Sequence, residues 1–295
     1  MQIMPQAPTT INELISVCCL KDLEAWAITS YFMVENISAQ RYQVIVPDHE
    51  MAAFKKVSPS QFEVIGESRY TKQFREQLLN LLPASKKDQF GWYLQQFIKL
   101  MAAKDNDPND IVLIWDADTA PIAKMKFISS EGKLQFYKGA EHHEPYFETI
   151  RKLLALDKKV SFSFIAQCFP LKVIWLNELC NQLEEKFQMP WLDAIMSQID
   201  FNEGNGFSEY ETLGTFISHH HTDEVAYSDR PWWRLGNTLL NHVAFLNKNR
   251  AMELSEQYDF ISFEKWERAK PYFFKVTLPY FFEIYIPSQL KRIFA

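Results

Sequence analysis

The stretch Ile111-Val-Leu-Ile-Trp-Asp-Ala-Asp118-Thr119 constrains this chain more than any other. Five bulky apolar residues, Ile111 to Trp115, run straight into two carboxylates, Asp116 and Asp118. A run this short and this apolar predicts a strand buried on both faces of a parallel sheet. Ligands of open α/β sheets bind outside the carboxyl ends of such strands, where the two acids fall. In an extended chain residues 116 and 118 point the same way, so both carboxylates can face one cation. Two hard oxygens, with other positions left for phosphate and water, are how Mg²⁺ is usually held. The plainer alternative is a pair of solvated strand-end acids, with Asp118 capping a turn.

The residues before this stretch predict a nucleotide-binding type of α/β unit. Glu13 to Cys19 reads as a first strand, and Asp22 can cap a helix with Leu23, Trp26, Ala27, Tyr31 and Val34 at helical spacing. Tyr42 to Val46 is a second strand, stopped by Pro47 and Asp48, and Phe62 to Ile65 a third, closed by Gly66. Strand, helix and strand with short joints predict a right-handed parallel unit. Residues 67 to 88 are charged and mixed, and predict helix and loop. From Phe90 to Met101 one apolar face carries Phe90, Leu94, Phe97, Ile98 and Met101. A second stripe, Trp92, Gln96 and Lys99, follows at spacings of four and three. Such a stripe is ordinarily a surface with one packed ring. Here its helix leads directly into the acidic strand.

Beyond Asp118 the pattern is less regular. Phe127 to Tyr137 predicts a hairpin around Ser130-Glu-Gly132, and Glu141-His-His-Glu-Pro-Tyr-Phe147 a loop lining a pocket. Ser161 to Ile165 alternates like a strand, and Val173 to Phe187 reads as a helix. After the turn signal Asn202-Glu-Gly-Asn-Gly206, Ser208 is placed to cap a helix with Glu211 at the capping-box position. Glu209 and Glu211 then either favour the positive end of that helix or supply a base projecting from it. The helix runs into His219, His220 and His221; three consecutive histidines do not converge on one zinc ion, but one of them can serve as an extra metal ligand.

Composition narrows the function classes. The 295 residues are 47% hydrophobic, enough for a large core, and the formal net charge of −6 argues against a protein that coats nucleic acid. The four cysteines lack the C-x₂-C pairs of a zinc site, so buried reduced thiols are expected. Met1 to Thr10 lacks the basic and apolar order of a signal peptide, and no segment approaches the length of a membrane span. A cytoplasmic protein is expected. Aromatic content is 15%, which suits rings stacking on a base or sugar. The last part, from Tyr227, is aromatic and basic: Trp232, Trp233 and Arg234, then Pro271-Tyr-Phe-Phe-Lys275, Pro279-Tyr-Phe-Phe-Glu-Ile-Tyr285, Lys291 and Arg292. Packing against the sheet is its plain reading; peripheral contact with the inner face of a membrane is the other.

Four stretches occur in order: Arg41-Tyr-Gln-Val-Ile-Val-Pro-Asp48, Gly91-Trp-Tyr-Leu-Gln-Gln-Phe-Ile-Lys-Leu100, Ile114-Trp-Asp-Ala-Asp-Thr119 and Phe207-Ser-Glu-Tyr-Glu211. Together they resemble a family of bacterial GT-A-type glycosyltransferases carried in surface-polysaccharide gene sets. The resemblance covers roughly residues 11 to 220. It implies a GT-A-like, Rossmann-type α/β fold with a mixed, mostly parallel sheet flanked by helices. The catalytic domain would span residues 1–225, with an aromatic-rich C-terminal extension, 226–295, packed on it. It also implies a nucleoside-diphosphate sugar donor, a glycan or lipid-linked glycan acceptor, and Mn²⁺ or Mg²⁺ acting as Lewis acid on the leaving diphosphate. By position, Asp118 matches the direct metal ligand and Asp116 the carboxylate contacting metal or ribose. Cys19 and Asp48 match base contacts, and Gln95, Gln96 and Lys99, with Trp92 on the same helix, match the nucleotide wall. Glu209 or Glu211 matches the acceptor base, and His219, His220 and His221 are the candidates for the late histidine of the metal shell, with His220 taken as the representative. A sugar-phosphate nucleotidyltransferase shares sheet and metal, but its Gly-rich loop is missing from Leu20-Lys-Asp-Leu-Glu24. A carbohydrate-binding protein with a degenerate site is the non-enzymatic alternative.

Overall fold

A computed structural model of the chain describes residues 10–264. The aromatic and basic segments from Pro271 to Arg292, and the residues before Thr10, lie outside the described residues. In chain order the elements begin β1 (Ile11–Val17), α1 (Leu23–Asn36), β2 (Ala39–Val46), α2 (Met51–Val57), β3 (Phe62–Gly66), α3 (Ser68–Thr71) and α4 (Arg75–Leu81). There follow α5 (Phe90–Lys104), β4 (Ile111–Trp115), β5 (Thr119–Pro121), β6 (Leu134–Tyr137), α6 (Glu144–Leu154) and β7 (Cys168–Lys172). The last are α7 (Val173–Phe187), α8 (Trp191–Gln198), α9 (Glu209–His220), β8 (Val225–Ser228), α10 (Gly236–Leu240), α11 (Lys248–Ser255) and β9 (Phe260–Ser262). Among the described residues no helix is long and apolar enough to cross a membrane.

The chain forms two compact units. Of the described residues, the first holds 10–20, Ser38–Asp116 and Lys126–Asp229; the second holds Lys21–Ile37, Ala117–Met125 and 230–264. The first is a mixed α/β unit around a sheet of order β3-β2-β1-β4-β7. β1, β2, β3 and β4 run parallel, and only the edge strand β7 is antiparallel, against β4. All five residues of β4 are buried, which is why the run Ile111–Trp115 carries no polar alternation. The Ser16 hydroxyl donates to the Trp115 carbonyl at 2.8 Å, so the strand ends of β1 and β4 are tied where the chain leaves the sheet. Sheet order places β2 and β3 on one side of β1 and β4 on the other. The crevice between the carboxyl ends of β1 and β4 is therefore the switch point of the sheet, where such folds bind ligands.

Three segments differ from the expectation raised by the sequence. Residues 161–165 are irregular, with one bridge, Gly139 to Ser163, and the strand comes later at β7. β7 contains Pro170, which argues against a strand in a sequence but is tolerated on an edge. Residues 144–147 open α6 instead of a loop: Pro145 lies in its first turn, where the missing N–H is harmless, and Tyr146, Phe147, Ile150 and Leu153 bury one face. α1, which the sequence places in one strand–helix–strand unit with β1 and β2, belongs to the second unit. There Ala25 and Phe32 of α1 share a core with Ala120, Ile122, Leu240, Val243, Ile261 and Phe263. The Thr29 hydroxyl donates to the carbonyls of Ala25 and Ala117, and β5 pairs antiparallel with β9.

Gly214 in the first unit has no tolerance for a side chain. A Cβ on Gly214 of α9 would sit 2.1 Å from Phe164 Cγ. Phe164 is 2% exposed and wedged against Phe136 and Phe169, so its ring has nowhere to go. Gly214→Ala is expected to cost at least about 1–3 kcal/mol despite the better helix propensity of alanine. The check is a urea melt: the midpoint falls at unchanged slope. A midpoint equal to the parent's would show that the ring can retreat.

Candidate functional site

The first unit buries an ionic cluster at the carboxyl end of β4. Lys99, on α5, reaches Asp116 Oδ1 at 2.7 Å, Glu209 Oε1 at 2.8 Å and the Tyr210 hydroxyl at 3.3 Å. Tyr210 in turn donates to Asp116 Oδ1 at 2.9 Å. Lys99, Glu209 and Tyr210 are buried, while the Asp116 side chain keeps 22% of its surface. An ammonium has three donors and no acceptor, so Lys99 is saturated by these partners. It holds the acids in place; it has no N–H left for a ligand.

Local sequence explains how the pieces meet. Helical spacing puts Gln96 and Lys99 on one side of α5. Gln96 Oε1 accepts from the backbone N–H of Glu209 at 3.0 Å, docking the start of α9 on α5. Ser208 caps α9 as its sequence position predicts, accepting from the Glu211 N–H at 3.2 Å. The preceding turn is fixed by Gly206, whose N–H donates to the Tyr93 hydroxyl and whose carbonyl accepts from Thr149. The ring of Tyr210 stacks flat on Phe169 of β7, with centroids 5.5 Å apart. Asp116 is held by its backbone as well, its N–H donating to the Gln167 carbonyl at 2.9 Å.

The charges do not balance. One ammonium faces two carboxylates, an excess of one negative charge in a dry place. The pKa directions express this strain. Burial disfavours the charged form of Lys99, but Asp116 and Glu209 overcome it and raise its pKa. Burial raises the pKa of Glu209, opposed by Lys99. Burial, then Asp116 and Glu209, push the Tyr210 phenol well up, so it stays a donor. The outward oxygen of Asp116, Oδ2, takes no hydrogen bond among the described residues. It is the one half-exposed acceptor of an over-negative cluster.

The other residues singled out in the sequence fall elsewhere. Glu211 is 1% exposed and turned to Ser163, whose hydroxyl donates to Oε1 at 2.5 Å, and to the Phe164 N–H at 3.2 Å. Asp48 spends both oxygens on Ser68, which lowers its pKa, and a Cβ on Gly66 would lie 2.4 Å from it. Cys19 follows β1, next to Leu20, whose N–H donates to Glu50 at 2.7 Å. Trp92 is half-buried and parallel to Tyr146 at 6.3 Å; Gln95, half-buried on α5, takes no part in the cluster. Asp118 lies in a turn of the second unit, where its carbonyl accepts from Phe263 and its carboxylate lies 3.5 Å from the Thr119 hydroxyl. His220 is exposed at the far end of α9 from Glu209, about 16 Å along the helix axis. His221 sits between Glu178 and Glu224, and His219 meets the Asp157 carbonyl. Tyr210 and Gln167 went unnoticed in the sequence. Tyr210 was within reach, since it lies inside Phe207-Ser-Glu-Tyr-Glu211; nothing signals Gln167.

Residues 25–272 match DUF6492, described as a family of unknown function. The chain belongs to DUF6492. No curated protein matches it in sequence. This DUF6492 chain is similar in structure to the galactosyltransferase LgtC, solved in complex with donor and acceptor sugar analogs. Identity is 9%, coverage 95% of this chain and 99% of that one, and TM-score 0.47. Mouse xyloside xylosyltransferase 1 is similar at 9% identity, 88% and 99% coverage and TM-score 0.45. The glycosyltransferase GlyE of Streptococcus pneumoniae TIGR4 is similar at 9% identity, 87% and 55% coverage and TM-score 0.38.

Proposed function

We propose that the chain is a glycosyltransferase. It would move a sugar from a nucleoside-diphosphate donor to a glycan or lipid-linked glycan acceptor in bacterial surface-polysaccharide assembly. The observation that carries this reading is Asp116: a carboxylate at the sheet's switch point, locked through one oxygen and open through the other, above a cluster with excess negative charge. The four ordered motifs that resemble GT-A transferases support the same reading.

The residues fit Mn²⁺ or Mg²⁺. Asp116 Oδ2 is the hard-oxygen donor we assign to the ion, and the sequence resemblance adds Asp118, two residues on in the chain, as a donor by motif alone. Among the described residues no group of three His, Cys, Asp or Glu side chains is gathered to hold a metal, so the diphosphate and water would complete the shell. The bound ion would supply Lewis acidity at the leaving diphosphate. Everything else falls to the chain. Lys99 and Tyr210 hold Asp116 Oδ1 inward and thereby aim Oδ2 outward. Burial keeps water from the cluster, and Glu209, whose pKa burial raises, is the acid of the pair that shares it. Burial raises the pKa of Glu211 too, so we assign the base to Glu209 on geometry: it shares Lys99 with Asp116, while Glu211 is turned to Ser163.

A thermal-shift panel of nucleoside diphosphates and their sugars, with and without Mn²⁺, tests the assignment. A ligand at about 100 times its dissociation constant adds roughly 2.7 kcal/mol. For a chain of this size that raises the Tm by about 5–10 °C. A panel in which no nucleotide gives a Mn²⁺-dependent shift would sink the reading.

A further inference from the structure

Glu211 is a buried acid that the proposed mechanism does not use. Its Oε1 accepts from the Ser163 hydroxyl and the Phe164 N–H, and Lys158 stands 3.8 Å away. Among the described residues its Oε2 is buried without a hydrogen-bond partner. A buried carboxylate with one idle oxygen is costly, and a structural reason for it is wanted. That reason lies along the segment it grips. Ser163 exchanges both backbone hydrogen bonds with Gly139, at 2.7 and 2.9 Å, and a Cβ on Gly139 would lie 2.2 Å from the Ile165 carbonyl oxygen. The Ser163 hydroxyl also accepts from the Ile165 N–H at 3.0 Å. Phe164 is clamped over Gly214. Four residues after Ser163 comes Gln167, 4% exposed and at φ 62°, a left-handed conformation uncommon outside glycine. The Gln167 carbonyl is the acceptor for the Asp116 N–H.

We propose that Glu211 is a positioning residue for Asp116, acting through the collar Ser163–Gln167. The first turn of α9 then fixes Asp116 twice. Glu209 and Tyr210 hold its side chain with Lys99, and Glu211 holds its backbone through Ser163 and Gln167. This rests on Asp116 being the working carboxylate, but the mechanical link stands apart from any reaction. The inference replaces a catalytic role for Glu211 with a mechanical one, and it explains why an acid sits at the capping-box position without reaching back to the cap.

Amide hydrogen exchange, read residue by residue without nucleotide or metal, tests the link. In Glu211→Ala the Asp116 amide is expected to exchange about tenfold faster or more, while Val44 and Ile45 in β2 keep their protection. Glu211→Gln keeps an Oε1 acceptor for both donors and is expected to restore protection close to the parent's. An Asp116 amide as slow in folded Glu211→Ala as in the parent overturns the proposal, and so does a Gln variant as fast as the Ala variant. Should Glu211→Ala fail to fold, Ser163→Ala removes only the hydroxyl and is expected to loosen the same amide; an unchanged amide there overturns it equally. Failure of the transferase reading would appear in the nucleotide panel and leave these rates unaffected.

Discussion

Lys99→Met is expected to destabilise the chain by about 3–5 kcal/mol, the usual cost of removing one partner from a buried ionic group. Methionine fills similar space, so the loss comes from charge and not from a cavity. Asp116 and Glu209 would face each other across the former ammonium, and Tyr210 would lose the donor on its hydroxyl. The deficit should depend on pH, with a definite sign. The folded pKa of Glu209 already stands above its ordinary 4.5 because of burial, and Lys99 is what opposes the rise. Without Lys99 it rises further, so the folded state binds more protons than the unfolded one above the ordinary carboxylate range. Stability of the variant therefore falls as pH rises from about 4.5 through the raised value, and the deficit shrinks on acidification. Urea melts at pH 5 and pH 8 read both effects. Adding Asp116→Asn and Glu209→Gln removes the uncompensated charges and is expected to recover much of the loss. A Lys99→Met protein as stable as its parent at pH 8 would mean that the cluster is wet.

Much of this cluster was legible in the sequence, in pieces. β4 announced itself because a doubly buried strand has no polar face to disguise it. α5 was legible because Phe97, Ile98 and Met101 share one side and Gln96 and Lys99 another. Ser208 was legible as a cap because capping is local chemistry. What the pattern did not carry is partnership over distance. Nothing in Lys99 says that all three of its donors are taken by residues up to 111 positions away. Glu211 fits a capping box by spacing, yet its carboxylate turns to Ser163 because the tertiary fold offers two donors there. The same bonds draw residues 161–165 away from the strand that their alternation suggested. The left-handed turn at Gln167 is likewise silent, since glutamine is no signal for a positive φ. Local rules named the parts; long-range hydrogen bonds decided which part does what.

Asp116→Asn separates the two duties of that residue. Asparagine keeps an oxygen where Oδ1 accepts from Lys99 and Tyr210, and puts an uncharged amide where Oδ2 faces outward. The excess negative charge of the cluster disappears, so the folded state should be no less stable than the parent and the Tm should hold or rise. The neutral amide is a poor ligand for a hard dication, and its nitrogen offers no lone pair at all. Mn²⁺-dependent turnover is therefore expected to fall by at least about 10³-fold, comparable to losing one preorganised electrostatic contact at a reacting group. The metal-dependent part of the nucleotide thermal shift should vanish with it. Asp116→Ala, by contrast, opens the Lys99 and Tyr210 hydrogen bonds and should lose stability as well as activity. The comparison is what discriminates. A stable, inactive Asn variant beside an unstable, inactive Ala variant is the signature of a residue whose inner oxygen serves the fold and whose outer oxygen serves the reaction. An Asn variant that still turns over with Mn²⁺ would move the ion away from Asp116 and leave the cluster as a structural ion pair alone.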